Sequence, residues 1–420
     1  MGQPRTHPAW LVRIVSMIAV AAAMASAWQM RAGPRPDRPG AEAVRVRLSL
    51  PWAQWRRSME VREERVARAL AAALAERAAP GRLAERRQAA LPDDGVRPVW
   101  VVTAEFGRRP PRQLWVLPYG ELWDPSSRRA ISNPALSESL KGPLAGFAGQ
   151  LFGEPVPWRE VDPLFPRDTG AVLEDVRTGV RLHVLRYGGY LHADVEPASP
   201  RDTALLKAIY GGEWSWRRRP VVAIIGGRRI AASINGMPHG YGVVRGNDFP
   251  GHFCLHFRES RLHRSGRVDW SHQLMVWQAA GRMAQVLEEA APEQLARWVL
   301  AALNEDDEAA LKHATTGWDP QLAARLMDQI RHVTVAGTIL GPPGSAGEPP
   351  AVEVQLVVYY ERPDPDTGYG HTLRLNLRER AASAPSGTRG WAIPLADLAK
   401  LLKIPAGTVP PPQADQDEGC

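Results

Sequence analysis

The chain has 420 residues, 44% of them hydrophobic and 23% charged, which excludes a disordered chain and leaves room for two or three packed domains. Its formal charge is +7, yet only five of the 52 basic residues are lysines and the bases are interleaved with acids, so no basic-aromatic run marks a nucleic-acid surface. Attraction to anionic wall polymers or lipid headgroups remains compatible with that charge.

Residues 1–27 read as a signal peptide or membrane anchor. Arg5 and Arg13 precede an apolar stretch from Ile14 to Trp28, and Ala25-Ser26-Ala27 is an A-x-A cleavage pattern. Either reading predicts an exported protein of the cell envelope. Residues 28–43 are rich in Pro, Arg and Gly and read as a linker. Residues 44–155 are expected to form an α+β accessory domain. Val44 to Leu50 alternates like a strand, Gln54 to Ala79 has helical periodicity and ends at Pro80-Gly81, and strands follow at Val99–Val102 and Gln113–Leu117.

Residues 156–286 carry a denser β pattern. Two hairpins are predicted, Ala171–Val176 with Val180–Leu185 and Pro220–Ile225 with Arg229–Ile234, the second turning at Gly226-Gly227. A short helix is expected from Asp202 to Tyr210, capped by Asp202 or the serine before it, then an apolar run from Phe253 to Phe257 and a helix from Ser271 to Ala280. Residues 290–404 start with helices at Pro292–Asn304 and Glu308–His313. Strands follow at Val333–Ile339, Val352–Tyr359, His371–Leu377 and Trp391–Ile393. Helices followed by a curved antiparallel sheet resemble the cystatin-like/NTF2-like fold. Residues 405–420 form a Pro-rich, acidic tail expected to be disordered. The fold class is therefore α+β multidomain, with a central β-rich, sandwich-like domain.

Seven of the eleven histidines fall between His183 and His272, together with Cys254, the only cysteine besides the terminal Cys420. A disulfide between the two would tie the tail to the middle of the chain, so Cys254 is expected as a free thiol. On a strand, residues i and i+2 share a face, which places His252, Cys254 and His256 together. An imidazole beside a thiol can take its proton and stabilise the thiolate. His239 precedes Cys254 in Met237-Pro238-His239-Gly240. Tyr187-Gly188-Gly189 and Asn235-Gly236 give the surrounding loops backbone freedom. His192, Asp194, His239, His252 and Cys254 are expected to converge.

This pattern resembles the catalytic motif of the L,D-transpeptidases, a His-Gly element followed at a distance by Ser-His-Gly-Cys and an aliphatic residue. His239-Gly240 matches the first element, and His252, Cys254 and Leu255 match the second. Gly251, Phe253 and His256 stand where the family has Ser, Gly and usually Arg. The resemblance implies a β-sandwich enzyme of the cell wall whose partner is peptidoglycan and which needs no cofactor. It implies that Cys254 attacks a stem-peptide carbonyl, that His252 is general base then acid, and that His239 orients the substrate. Backbone N–H groups near Phe253 and Cys254 would form the oxyanion hole, with Gly240, Asn235, Phe253 and His256 lining the substrate site. An amine acceptor would make a transpeptidase and water a carboxypeptidase. Trp214, Trp216 and Arg217-Arg218-Arg219 are candidates for the groove wall, although the two tryptophans fit a structural role better.

Two other readings stand beside it. His192, Asp194, His252 and His256 are residue types that hold zinc, which would make a zinc-dependent wall peptidase or amidase. The flanking domains also suit a non-catalytic envelope-binding protein. His263 and His272 are expected to be ordinary polar or capping residues.

Overall fold

The computed structural model describes residues 44–49, 58–75, 100–106, 110–116, 122–127, 129–131, 133–336, 350–362, 364–379 and 390–404. The signal or anchor segment, the linker and the tail named above lie outside them. The protein is a mixed α+β molecule with several sheets.

The first unit is a six-stranded antiparallel sheet in the order β2-β1-β3-β4-β5-β6. Its strands are β1 (Val44–Ser49), β2 (Ser58–Val61), β3 (Trp100–Phe106), β4 (Arg112–Val116), β5 (Leu122–Asp124) and β6 (Arg129–Ile131). The helix expected from Gln54 is shorter: Ser58–Val61 pairs with β1 as a strand, and helix α1 spans Glu64–Ala75. The Ser58-Met-Glu-Val61 segment satisfies a period of two as well as a helical one, and the free edge of β1 selects the strand. Helix α2 (Pro134–Leu151), which sequence analysis did not identify, starts at an Asn133 cap whose side chain accepts from the Leu136 N–H. Its Leu136, Leu140, Phe147 and Leu151 complete the core under the sheet.

Strands β7 (Thr169–Asp175), β8 (Arg181–Gly188), β9 (Ala193–Pro197), β10 (Arg219–Ile225), β11 (Arg228–Ile234) and β12 (Phe253–His256) close into a barrel, in the order β10-β11-β12-β9-β8-β7. The central unit is thus a closed barrel, where a sandwich-like arrangement was expected. Closure follows from β10, which pairs with β11 on one side and with β7 on the other, leaving no free edge. Alternation sorts the side chains. Leu173, Leu182, Val184, Ala193, Val195, Val221, Ala223, Ile230, Ala232, Phe253 and Leu255 fill the interior, and burying each larger one contributes about 1.5–3 kcal/mol. The residues between them face outward. Val222 and Ala231 join the core around α2, while Asp194, Ser233, Cys254 and His256 form a polar patch. Helix α3 (Pro200–Ile209) packs on β8 and β9, capped by Ser199.

Helix α4 (Trp270–Ala279) lies on the outer faces of β10 and β11, starts at an Asp269 cap, and sends residues into two cores. Val276 and Ala279 reach the α2 core, and Leu274 and Met275 reach the C-terminal one. The C-terminal core gathers helices α5 (Met283–Glu288), α6 (Pro292–Asn304), α7 (Glu308–Ala314) and α8 (Pro320–Gln329). They pack on two three-stranded sheets. One is antiparallel: β14 (Ile330–Val335), β15 (Ala351–Tyr360) and β16 (Gly368–Asn376). The other joins β13 (Thr315–Thr316), β18 (Trp391–Pro394) and β17 (Arg378–Glu379). Among the described residues no helix is long and apolar enough to cross a membrane.

Candidate functional site: a histidine and cysteine cluster outside the barrel

The polar patch lies where β9 and β12 run side by side. Cys254 stands opposite Asp194 in the ladder, and both point away from the apolar interior. β11 pairs with β12 only at Ser233 and Ile234, so at Phe253 and Cys254 the β11 chain has already turned away. The segment after it returns to β12 through a two-residue bridge, in which His239 and His252 exchange N–H···O bonds of 3.0 and 2.9 Å. Buried Glu196, next outward-facing residue after Asp194 on β9, accepts from the N–H groups of Val243 and Val244 and from Asn247 Nδ2. That carboxylate pins the loop carrying His239.

Two glycines make this close approach feasible. Gly251 has φ 130°, and a Cβ there would stand 2.4 Å from the His239 carbonyl oxygen. A serine, expected from the L,D-transpeptidase pattern, does not fit this backbone. Gly240 has φ 60° and lies against the His252 ring, which a Cβ would meet at 2.4 Å.

Of His239 and His252, His239 is the imidazole in hydrogen-bond contact with the sulfur, its Nε2 lying 3.2 Å from Cys254 Sγ. Its Nδ1 is 2.9 Å from the Met237 carbonyl oxygen, an obligate acceptor, so Nδ1 carries the proton and Nε2 presents its lone pair to the sulfur. Burial lowers the His239 pKa to about 4, which keeps the ring neutral near pH 7. Trp216 packs on the same ring at 5.0 Å. His252, the expected base, is turned elsewhere: its Nδ1 lies 2.7 Å from Tyr187 Oη and 3.1 Å from the Tyr241 carbonyl oxygen. His239, His252 and Cys254 still form one group whose ligand atoms lie within 4.8 Å of one another.

Cys254 itself is disulfide-bonded, which corrects the expected free thiol. The one other cysteine in the sequence, Cys420, lies outside the described residues. The Cys254 side chain is fully buried.

Beyond the sulfur, four imidazoles pile up in the order His263, His192, His256, His272, with ring centroids 4.1, 4.2 and 3.8 Å apart. Ser233 Oγ meets His272 Nδ1 at 2.8 Å and closes the far end. Burial holds His192, His256 and His272 below the ordinary histidine pKa, the last two well below. Asp194 is also buried, which by itself would raise its pKa, but contacts with His192 and His263 outweigh burial and lower it.

No family model matches the chain, and no curated protein or solved structure is detectably similar to it.

The structure therefore brings together His192, Asp194, His239, His252, Cys254 and His256. The expected zinc set does not form one group among the described residues. His192 groups with Asp194 and His263, and again with Cys254 and His256, while His252 belongs with His239. Phe253 faces the barrel interior and packs on Phe249, and Asn235 is buried just past β11. Trp214 packs on Phe249 in the barrel core, so the two tryptophans separate: Trp216 alone reaches the site. The arginine run is structural, with Arg217 paired to Asp306, Arg218 to Asp269 and Arg219 to Asp175. His263 and His272, read as ordinary polar residues, belong to the stack. No local pattern marks them, because their partners are distant in the chain.

Proposed function

We propose that this chain is an exported cell-envelope enzyme that uses Cys254 for acyl transfer on peptidoglycan stem peptides, in the manner of an L,D-transpeptidase or the corresponding carboxypeptidase. The observation that carries this reading is the 3.2 Å contact between His239 Nε2 and Cys254 Sγ, with the His239 tautomer fixed by the Met237 carbonyl. A nucleophile, a base and an orienter of the base are the parts such a reaction requires. The base role accordingly passes from His252 to His239. The proximity of His239-Gly240 to His252 and Cys254 also supports the resemblance.

The sulfur acts only after its disulfide is opened. A dithiol reductant supplies two electrons by exchange and leaves Cys254 as a thiol. His239 then takes the thiol proton, and the sulfur attacks the carbonyl carbon of the donor peptide. The proton passes to the departing D-amino acid as the C–N bond breaks, leaving a thioester. An acceptor amine or water resolves the thioester and regenerates the thiol. The backbone of Phe253 and Cys254, beyond the end of β11, is the place for the oxyanion. The exposed rings of Tyr190 and Tyr241, with Val243, offer an apolar rim for an extended substrate. In this reading the C-terminal unit is a cystatin/NTF2-like binding module, and residues 1–27 deliver or anchor the protein.

Reduced full-length protein, incubated with disaccharide tetrapeptide and analysed by intact mass and peptide mapping, should carry an acyl adduct on Cys254. Cys254→Ala should carry none. Absence of an adduct from reduced, folded protein, with donors ending in several different D-amino acids, would reject the reading.

A further inference from the structure

We infer that His192, Asp194 and His263 form a binding site for a divalent first-row transition metal, zinc being the archetype, with a coordination position left for water or substrate. This inference does not require Cys254 to be a nucleophile.

The argument starts from the tautomer of His192. Its ring is fully buried, and Nδ1 lies 2.7 Å from the carbonyl oxygen of Arg261, so Nδ1 must carry the proton. Nε2 is then a lone pair. It points into the site 3.3 Å from Asp194 Oδ1, and it has no hydrogen-bond partner among the described residues. Two acceptors facing each other at this distance repel unless a cation, a proton or a metal ion, lies between them. His263 Nε2 approaches the same carboxylate oxygen at 3.2 Å.

These separations match the edges of a coordination polyhedron. Zinc bonded to nitrogen and oxygen at about 2.0–2.1 Å in a tetrahedron has ligand atoms about 3.3–3.4 Å apart. The three candidate ligand atoms all lie within 4.8 Å of one another. Two imidazoles and one carboxylate suit zinc, cobalt or nickel better than magnesium or calcium, which prefer oxygen alone.

The support around the ligands points the same way. A metal-bound histidine ordinarily gives its other N–H to a carbonyl or carboxylate, and His192 does so to Arg261. The Arg261 N–H in turn donates to the Leu191 carbonyl at 3.0 Å, so the loop bearing His263 is clipped to the segment bearing His192. The His263 side chain is 25% exposed, which opens the remaining position to solvent. Three protein ligands and an open position are the arrangement of zinc sites that polarise a bound molecule.

The test is a metal titration of the full-length protein stripped with chelator and kept under reducing conditions. Cobalt(II) is followed by its visible d–d absorption, and zinc by competition and elemental analysis. One equivalent should bind with micromolar or tighter affinity. Asp194→Asn and His263→Ala should each weaken binding by at least about a hundredfold, more than losing a supporting contact costs. Cys254→Ser should retain binding, and no thiolate-to-cobalt charge-transfer band should appear. Circular dichroism of each variant confirms folding, and the partly exposed His263 is the substitution least able to disturb it. Millimolar binding only, unchanged affinity in both site variants, or a thiolate band that vanishes in Cys254→Ser would overturn the assignment.

Discussion

His239 Nε2 faces Cys254 Sγ at 3.2 Å although the two residues are 15 apart in sequence, whereas His252, only two residues away, aims its Nδ1 at Tyr187 and Tyr241. Alternation along β12 brings His252 and Cys254 to one face, but the rotamer follows hydrogen bonding. His252 finds partners along the rim, and His239 reaches the sulfur because the 239–252 bridge folds its loop back over β12.

This geometry separates the two imidazoles in a simple reactivity assay. With reduced protein at pH 7, His239→Ala should slow iodoacetamide alkylation of Cys254 by at least about tenfold, since it removes the base that takes the thiol proton. His252→Ala should change the rate by less than about threefold, because its contacts are to Tyr187 and Tyr241. Peptide mapping of the labelled cysteine reads both. The reverse ranking would return the base role to His252.

Gly251 offers a structural test of the same bridge. An alanine there combines φ 130° with a Cβ 2.4 Å from the His239 carbonyl. Gly246→Ala is the matched comparison, having φ 73° but nothing within 4 Å of the added carbon. Gly246→Ala should cost about 1 kcal/mol, the strain of a non-glycine left-handed residue. Gly251→Ala should cost at least about 2 kcal/mol, because backbone must also move. Urea unfolding of both variants gives the difference, and equal values would mean that the bridge yields easily.

Much of the barrel was legible because its strands alternate and its turns are marked. Gly226-Gly227 and Arg177-Thr178-Gly179 announce two hairpins, and the structure pairs both. Helix α2 was not legible, since Pro143 and three glycines interrupt its periodicity, and its stability comes from Leu136, Leu140 and Phe147 entering a core made by distant strands. Barrel closure was hidden for a related reason: nothing in β7 or β10 states that the two pair. In the site, His252, Cys254 and His256 share a face by local spacing. His192 against His256, and His263 against Asp194, are long-range contacts that local spacing does not encode.

The fold itself rests on buried charge at one end of the barrel. Arg219 meets Asp175 through two contacts, Nε to Oδ1 at 2.6 Å and the second guanidinium nitrogen to Oδ2 at 3.1 Å, with the carboxylate fully buried. Asp175 also accepts from the N–H and hydroxyl of Thr178 in the β7–β8 turn. Asp175→Ala should destabilise the protein by about 3–5 kcal/mol, because it leaves a buried guanidinium uncompensated. Arg159, exposed and paired to Glu259 at 3.4 Å, is the control: Arg159→Ala should change stability by less than about 0.5 kcal/mol. Chemical denaturation measures both.

The buried imidazoles also set a pH dependence whose sign is fixed. His239 titrates near 4 in the folded protein, and His192, His256 and His272 are lowered in the same direction, while in the unfolded chain each has its ordinary value near 6.5. Between those limits the unfolded chain binds more protons, so stability is present above pH 6.5 and is lost as the pH falls toward 4. Each histidine protonated when unfolded and neutral when folded contributes a slope of about 1.4 kcal/mol per pH unit, and His239, partly open to solvent, contributes less. The lowered carboxyls of Asp194, Asp202 and Asp269 add their own loss only below the ordinary carboxylate range, near pH 4. Thermal unfolding in chelator, scanned from pH 8 to 4.5, should therefore show a melting temperature that is flat at first and then falls by several degrees below pH 6.5. His239→Gln should reduce that fall by removing one of the four titrating rings. A melting temperature that rises on acidification across this range would show that these rings are protonated in the folded protein.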